Sequence, residues 1–386
     1  MQHSAHGMPA HTTAGYPQQM YHDDFYMGQT IGRRLSRGSA GQRTGTAMRI
    51  ERTAGFRPDC GKCLRLRDPA GELRFAHMMR AFILALLLPF PPRHRPPLTL
   101  YVPNPSFFPL FSSYIYNLLT DAASITEATT AVLHDFYADG VVYAELRTTP
   151  RATPSLDPEA YVRTILAAMA AFNLAHPRMR TRLLLSVDRR HDAATALSIT
   201  RLAAALRPLG VVGVDLCGDP QAKPDGAVRA FSPAFEGARR AGLGVTVHFA
   251  EAPAAASREE LDVLLGWQPR RLGHVIWEDD EAKREIVRRG LCLELCLSCN
   301  VLADMVAGGF AGHHFGYWRG VDGPSISLAT DDVGVFGSPL SKEYEIAAQH
   351  FNLDREAICS LAREAIDSTF GSDEDKEWLQ SVMWTS

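Results

Sequence analysis

Seven short β-rich runs recur along this chain at fairly even spacing, with helix-like stretches between them. That alternation constrains the fold more than any other feature. The runs are Val141–Leu146, Arg182–Asp188, Val211–Leu216, Gly244–Phe249, Arg271–Val275, Leu291–Leu297 and Ser325–Asp331. Ala122–Asp139, Pro158–His176, Asp192–Leu206, Ala227–Ala241, Arg258–Trp267 and Asp280–Arg289 carry apolar residues at helical spacing. Gly210, Gly242, Gly290 and Gly323 precede strands, as helix-to-strand turns require. Repeated βα units predict an α/β fold, a (β/α)8 TIM barrel. Ser341–Gln349 and Arg355–Phe370 are expected to close it. The first strand must come from before Val141, where the pattern is least regular. It is expected to be absent or replaced, with Leu98–Val102 as a candidate substitute.

The chain divides by character. Residues 1–70 are rich in Gly, Ser, Thr, His, Gln and Arg and show no sustained period, so a disordered extension is expected. Residues 71–106 hold the apolar run Ala81–Phe90 and the cluster Pro91-Pro92-Arg93-His94-Arg95-Pro96-Pro97, which blocks regular structure. Residues 107–386 form the barrel domain, of the size of about 250 residues that one barrel needs. A net charge of −3 gives no support to a nucleic-acid role. Ala81–Phe90 is shorter than the roughly 20 apolar residues a membrane span takes, so no membrane role is expected. The 7 cysteines read as reduced thiols of a cytoplasmic protein, and Cys60-Gly-Lys-Cys63 lacks the second pair of a zinc ribbon. A monomer acting on a small molecule is expected.

Polar residues sit at or just past the ends of the β-rich runs. They are Glu145 with Arg147-Thr148-Thr149-Pro150-Arg151, then Asp188, Gly218-Asp219, His248 with Glu251, His274, Asn300 and Asp331-Asp332. Barrel sites are built from the C-terminal ends of strands, so residues this far apart in sequence are expected to converge. A strand-end His beside a carboxylate suits a metal ligand with an adjacent acid or base, though for His248 and Glu251 taken alone a packed His and a capping Glu is the favoured reading. Two adjacent carboxylates at a buried strand end are costly unless a cation or donor neutralises them. A helix cap with a solvated neighbour is the plainer alternative for Asp331 and Asp332. Arg147, Thr148, Thr149 and Arg151 are an inventory that suits phosphate, or a local salt bridge.

HFAE at 248–251, LGH at 272–274, TDD at 330–332 and VDLCGD at 214–219 together resemble the adenosine deaminase family. YAELRTTPR (143–151), SVDRR (186–190), HHFGYW (313–318) and DDVGVFGSPLSKEY (331–344) resemble its adenosine-deaminase-like, N6-methyl-AMP deaminase-like branch. The resemblance covers about 107–370. It implies a barrel with one Zn2+ at its C-terminal mouth and hydrolytic deamination of a purine nucleoside or monophosphate. His248 and Asp331 would be zinc ligands. Glu251 would protonate the purine ring, and His274 would orient and deprotonate the attacking water. Asp332 and the backbone N–H of Gly218 would hold other purine nitrogens. Arg147, Thr148, Thr149, Pro150 and Asp188 would line the ribose and phosphate side.

The family also implies two zinc ligands from an HxH on the first strand. None of His3, His6, His11, His22, His77 or His94 forms HxH with a neighbour. Three explanations stand open: a gene model in which that exon has been replaced, a nucleotide-binding pseudoenzyme, or completion of the site by a remote residue such as His94. His313-His314 belong to the family's loop motif and are not counted as new ligands.

Overall fold

The computed structural model describes residues 115–222 and 228–383, together with the backbone of Thr30–Arg33. Its sheet has eight strands in sequential order, with the first and last at its two ends. β1 (Thr30–Arg33) runs antiparallel to β2 (Val141–Thr148), with Ile31 opposite Tyr143. From β2 onward every pairing is parallel: β3 (Arg180–Asp188), β4 (Val211–Cys217), β5 (Gly244–Phe249), β6 (Arg271–His274), β7 (Cys292–Leu295) and β8 (Ser325–Leu328). Seven consecutive parallel strands with intervening helices are seven of the eight units of a (β/α)8 barrel.

The first-strand place is thus taken by a short segment of opposite direction. It lies inside the stretch expected to be a disordered extension, and nothing in its composition marked it as a strand. Leu98–Val102 and the rest of the Pro-rich segment lie outside the described residues.

Helices begin where a polar side chain can accept the free backbone N–H groups of a first turn. Asp121, Asp157, Asp192, Ser257, Asp279, Asp354 and Ser372 each cap one in this way. Helix Ser232–Arg240 is shorter than expected, because Val228–Phe231 is a 3-10 turn. The run Leu291–Leu297 is strand only to Leu295, then turns directly into helix Leu297–Leu302. The expected closing helix to Phe370 stops at Glu364, and a further helix, Asp373–Val382, follows.

Strand side chains alternate between two environments. Leu146, Val187, Leu216, Val247, Leu272, Leu293 and Ile326 belong to the large apolar core cluster, which includes helix residues such as Ile165, Phe235, Leu261 and Ile286. The alternate set, Glu145, Arg147, Ser186, Asp215, Thr246, His248, Arg271 and Glu294, is polar and buried. At the N-terminal ends of the strands, Phe370 closes this interior. Its N–H donates to Glu145 Oε1 at 2.7 Å, and the Arg271 guanidinium lies 3.5 Å from its ring centre.

Candidate active site at the C-terminal strand ends

The floor of the site is an ion network. Arg271 reaches Glu145 Oε2 at 2.7 Å and Glu294 Oε1 at 2.6 Å. Tyr143 donates to Glu145 Oε1 at 2.8 Å, and Thr246 donates to Glu294 Oε2 at 3.0 Å. Arg147 donates to Glu294 and lies 3.4 Å from Asp215 Oδ1. Charges this deep are tolerated only when paired and hydrogen-bonded, and here each meets an opposite partner.

This placement corrects one expectation. Arg147 does not face a phosphate; its guanidinium points into the interior and is held by Glu294 and Asp215. Arg151 is likewise engaged, lying 4.5 Å from the Tyr116 ring centre and donating to the Leu119 carbonyl at 2.8 Å. Thr148 shares a 2.8 Å hydrogen bond with Tyr161, and the Thr149 hydroxyl lies 3.8 Å from Cys217 Sγ.

Above the network, His248 is the penultimate residue of β5 and His274 the last of β6, and their ring centres are 5.0 Å apart. His248 Nδ1 lies 3.2 Å from Asp215 Oδ1. Burial opposes charge on this imidazole, but the Asp215 carboxylate outweighs it and lifts the ring to about 9. Burial would raise Asp215 too, yet His248 and Arg147 hold it at about 2. Glu251 follows β5, with Oε1 3.8 Å from His274 Nε2. Burial pushes the Glu251 carboxyl up to about 7, with the nearby Asp331 adding to the effect. It can therefore carry a proton near neutrality.

Four of the seven described non-glycine residues with positive φ stand at these strand ends: Ala250 (50°), His274 (64°), Val275 (54°) and Asp331 (50°). Such conformations cost of order 1–3 kcal/mol each and concentrate where side chains must be aimed. On the β3–β4 side, Arg190 holds Asp188 through Nε at 2.7 Å and its backbone N–H at 2.8 Å. Gly218, at φ +93°, lies against it; a Cβ there would fall 2.8 Å from the Asp188 carboxyl, so only glycine fits.

His248, Glu251, His274, Asp331 and Asp332 are all buried at the ends of β5, β6 and β8. The pattern of the chain did not single out Asp215, Glu294 and Arg271. Their signal was there as a period of two: within the runs, polar residues alternate with apolar ones, as in Val214-Asp215-Leu216 and Thr246-Val247-His248.

The zinc that the resemblance implies can be tested against this donor set. His248 and Asp331 are present, but the chain contains no HxH to supply the other two ligands. A catalytic zinc normally takes three protein ligands and a water, so these residues do not complete the family's set. Among the described residues the donors that do cluster are different: one ligating atom each of His274, Cys296 and Asp331 lie within 4.8 Å of one another.

Comparison with known proteins agrees with this architecture. A model of the adenosine deaminase family matches residues 103–385. The N6-mAMP deaminase of Arabidopsis thaliana is 32% identical over 298 residues, covering 71% of this chain and 81% of its own length. N6-Methyl-AMP deaminase-L of Xenopus laevis is 38% identical over 273 residues, covering 69% and 76%. The crystal structure of Arabidopsis ADAL complexed with GMP superposes with a TM-score of 0.68 at 32% identity, covering 73% of this chain and 82% of that one. With its strand-end motifs, its parallel strands and these relatives, the chain belongs to the adenosine deaminase family, in the adenosine-deaminase-like branch.

Proposed function

We propose that the pocket takes a purine nucleoside monophosphate with an amino or alkylamino group on the six-membered ring, and that its residues are arranged for hydrolytic deamination. The observation that carries this reading is Glu251, a buried carboxyl that burial pushes to about 7 and that stands 3.8 Å from His274. In hydrolytic deamination, water adds to the amino-bearing carbon, a ring nitrogen accepts a proton, and ammonia or an amine leaves to give the 6-oxo purine. Glu251 is the group placed to give that proton. Asp332 and the Gly218 backbone would hold other ring nitrogens. Thr148, Thr149, Pro150 and Asp188 would line the sugar and phosphate side. The monophosphate is favoured by the named activity of the relatives rather than by Arg147 or Arg151, both of which are engaged elsewhere.

Zinc supplies the water activation in this reading, and the chain lacks ligands for it in the family's manner. This chain is therefore proposed to recognise the nucleotide while turning it over poorly or not at all, as a monomer in the cytoplasm. The described cysteines are all free thiols, which suits a reducing compartment. The test is to purify the full chain with zinc present and measure three quantities: nucleotide binding by calorimetry, metal content, and amine release from adenosine, AMP and N6-methyl-AMP. Binding of the monophosphates with little metal and little turnover is expected. One zinc per chain with steady turnover would refute the inactive reading, and failure to bind any of the three would refute the site.

A further inference from the structure

The proton positions around His274 can be derived from one backbone group. The Phe315 N–H donates to His313 Nδ1 at 3.0 Å. That nitrogen must therefore be bare, so the proton of a neutral His313 sits on Nε2. His313 Nε2 is 3.1 Å from Asn300 Oδ1, the only acceptor of that amide, so the Asn300 orientation is decided by its partner rather than by convention. The Asn300 amino group then faces His274 Nδ1 at 3.0 Å and Met305 Sδ at 3.5 Å. The Met305 thioether can only accept, which independently fits the same orientation. His274 Nδ1 accepts, and its proton is on Nε2, the nitrogen that faces Glu251.

We propose that Asn300 and His313 are positioning residues that lock His274 as a hydrogen-bond donor, through Nε2–H, toward the pocket. His314 steadies the same residue, its Nε2 lying 2.6 Å from the His274 carbonyl oxygen at the strained strand end. Two consequences follow. His274 orients an attacking water or a substrate oxygen but does not take a proton from it in this state, so the expected deprotonating role falls away. Nor does His274 Nε2 offer a lone pair to a metal in this tautomer, because a nitrogen that carries a proton has none to give.

The catalytic meaning of the lock rests on the deaminase reading; the lock itself does not. The test is histidine-nitrogen NMR on the full chain labelled with 15N-histidine, with His274→Gln identifying the His274 signals. The expected spectrum shows a protonated Nε2 and a bare Nδ1 for both His274 and His313, favoured on the order of tenfold over the other tautomer. In Asn300→Asp the carboxylate can only accept, so His274 should change to the Nδ1–H form while His313 stays as it is. A Nδ1–H or evenly mixed His274 in the unaltered chain overturns the proposal, as does an unchanged His274 in a folded Asn300→Asp. If that variant does not fold, the unaltered chain decides alone. Titrating AMP into the same sample separates the two readings: absent binding with a locked tautomer refutes the nucleotide site and leaves the lock standing.

Discussion

His248 Nδ1 lies 3.2 Å from Asp215 Oδ1, and the same carboxylate oxygen is 3.4 Å from the Arg147 guanidinium. A residue of the pocket is therefore tied to the ion network beneath it. Ser186 completes the arrangement by donating to Asp215 Oδ2 at 3.2 Å. The aim of the His248 ring and the stability of the interior depend on one buried carboxylate.

Asp215→Asn keeps the shape and removes the charge. Arg147 then faces Glu294 alone, and His248 loses the partner that raises it. Breaking one member of a buried ion pair costs about 3–5 kcal/mol. We expect a loss of that order in urea unfolding, together with a His248 ring that titrates well below its present value of about 9. An unchanged unfolding midpoint would contradict the network.

Arg147→Met separates a structural from a substrate-binding role. Two buried carboxylates, Glu294 and Asp215, would lose their shared cation. The expected outcome is a stability loss of about 3–5 kcal/mol by denaturant unfolding, with AMP and adenosine affected alike in the fraction that folds. A stable variant that has lost AMP binding selectively would restore the phosphate role.

Gly213→Ala tests the plug at the N-terminal strand ends. The added methyl would meet Phe370 Cδ2 at 2.7 Å and the Gly244 carbonyl oxygen at 2.8 Å, and the latter is backbone that cannot swing away. Overpacking of this kind costs about 1–3 kcal/mol. A clear fall in Tm is expected; a Tm equal to that of the unaltered chain would mean that Phe370 does not seat there.

Glu251→Gln should stabilise the chain at alkaline pH. The folded carboxyl sits at about 7, above the usual value of 4.5, so the folded state binds more protons between those limits. Its stability contribution is complete below about 4.5 and is lost as pH rises through about 7. His248, His274, Asp331, Arg189 and Asp219 face or surround this group, and Glu278 and Glu343, also raised to about 7, act in the same window. The difference between variant and unaltered chain isolates Glu251. A gain of up to roughly 3 kcal/mol at pH 8, vanishing toward pH 4, follows from about 1.4 kcal/mol per pKa unit. A gain independent of pH would sink the assignment.

Repeating βα units were legible because side-chain periodicity is local: a buried parallel strand must be apolar on one face, and a helix must cap and close within its own turns. Val141–Leu146, Gly244–Phe249 and Ser325–Asp331 could be read in this way, and so could the gathering of His248, Glu251, His274 and Asp331, since strands of one barrel end at one mouth. The absence of HxH was a property of the chain before any coordinates. Arg147 was another matter. Its neighbours Thr148 and Thr149 suggested an anion, while its partners Asp215 and Glu294 are 68 and 147 residues away and become neighbours only through strand register. The exchange of a first strand for Thr30–Arg33 was equally hidden, because a four-residue antiparallel pairing leaves no period to read. Protonation went furthest beyond the chain. Asn300, His313 and His274 are ordinary polar residues in sequence, and only their juxtaposition, begun by the Phe315 N–H, decides which nitrogen of His274 carries the proton. Local pattern determined the units and the residue types of the site; pairing between distant residues, which tertiary packing alone creates, decided their charge and direction.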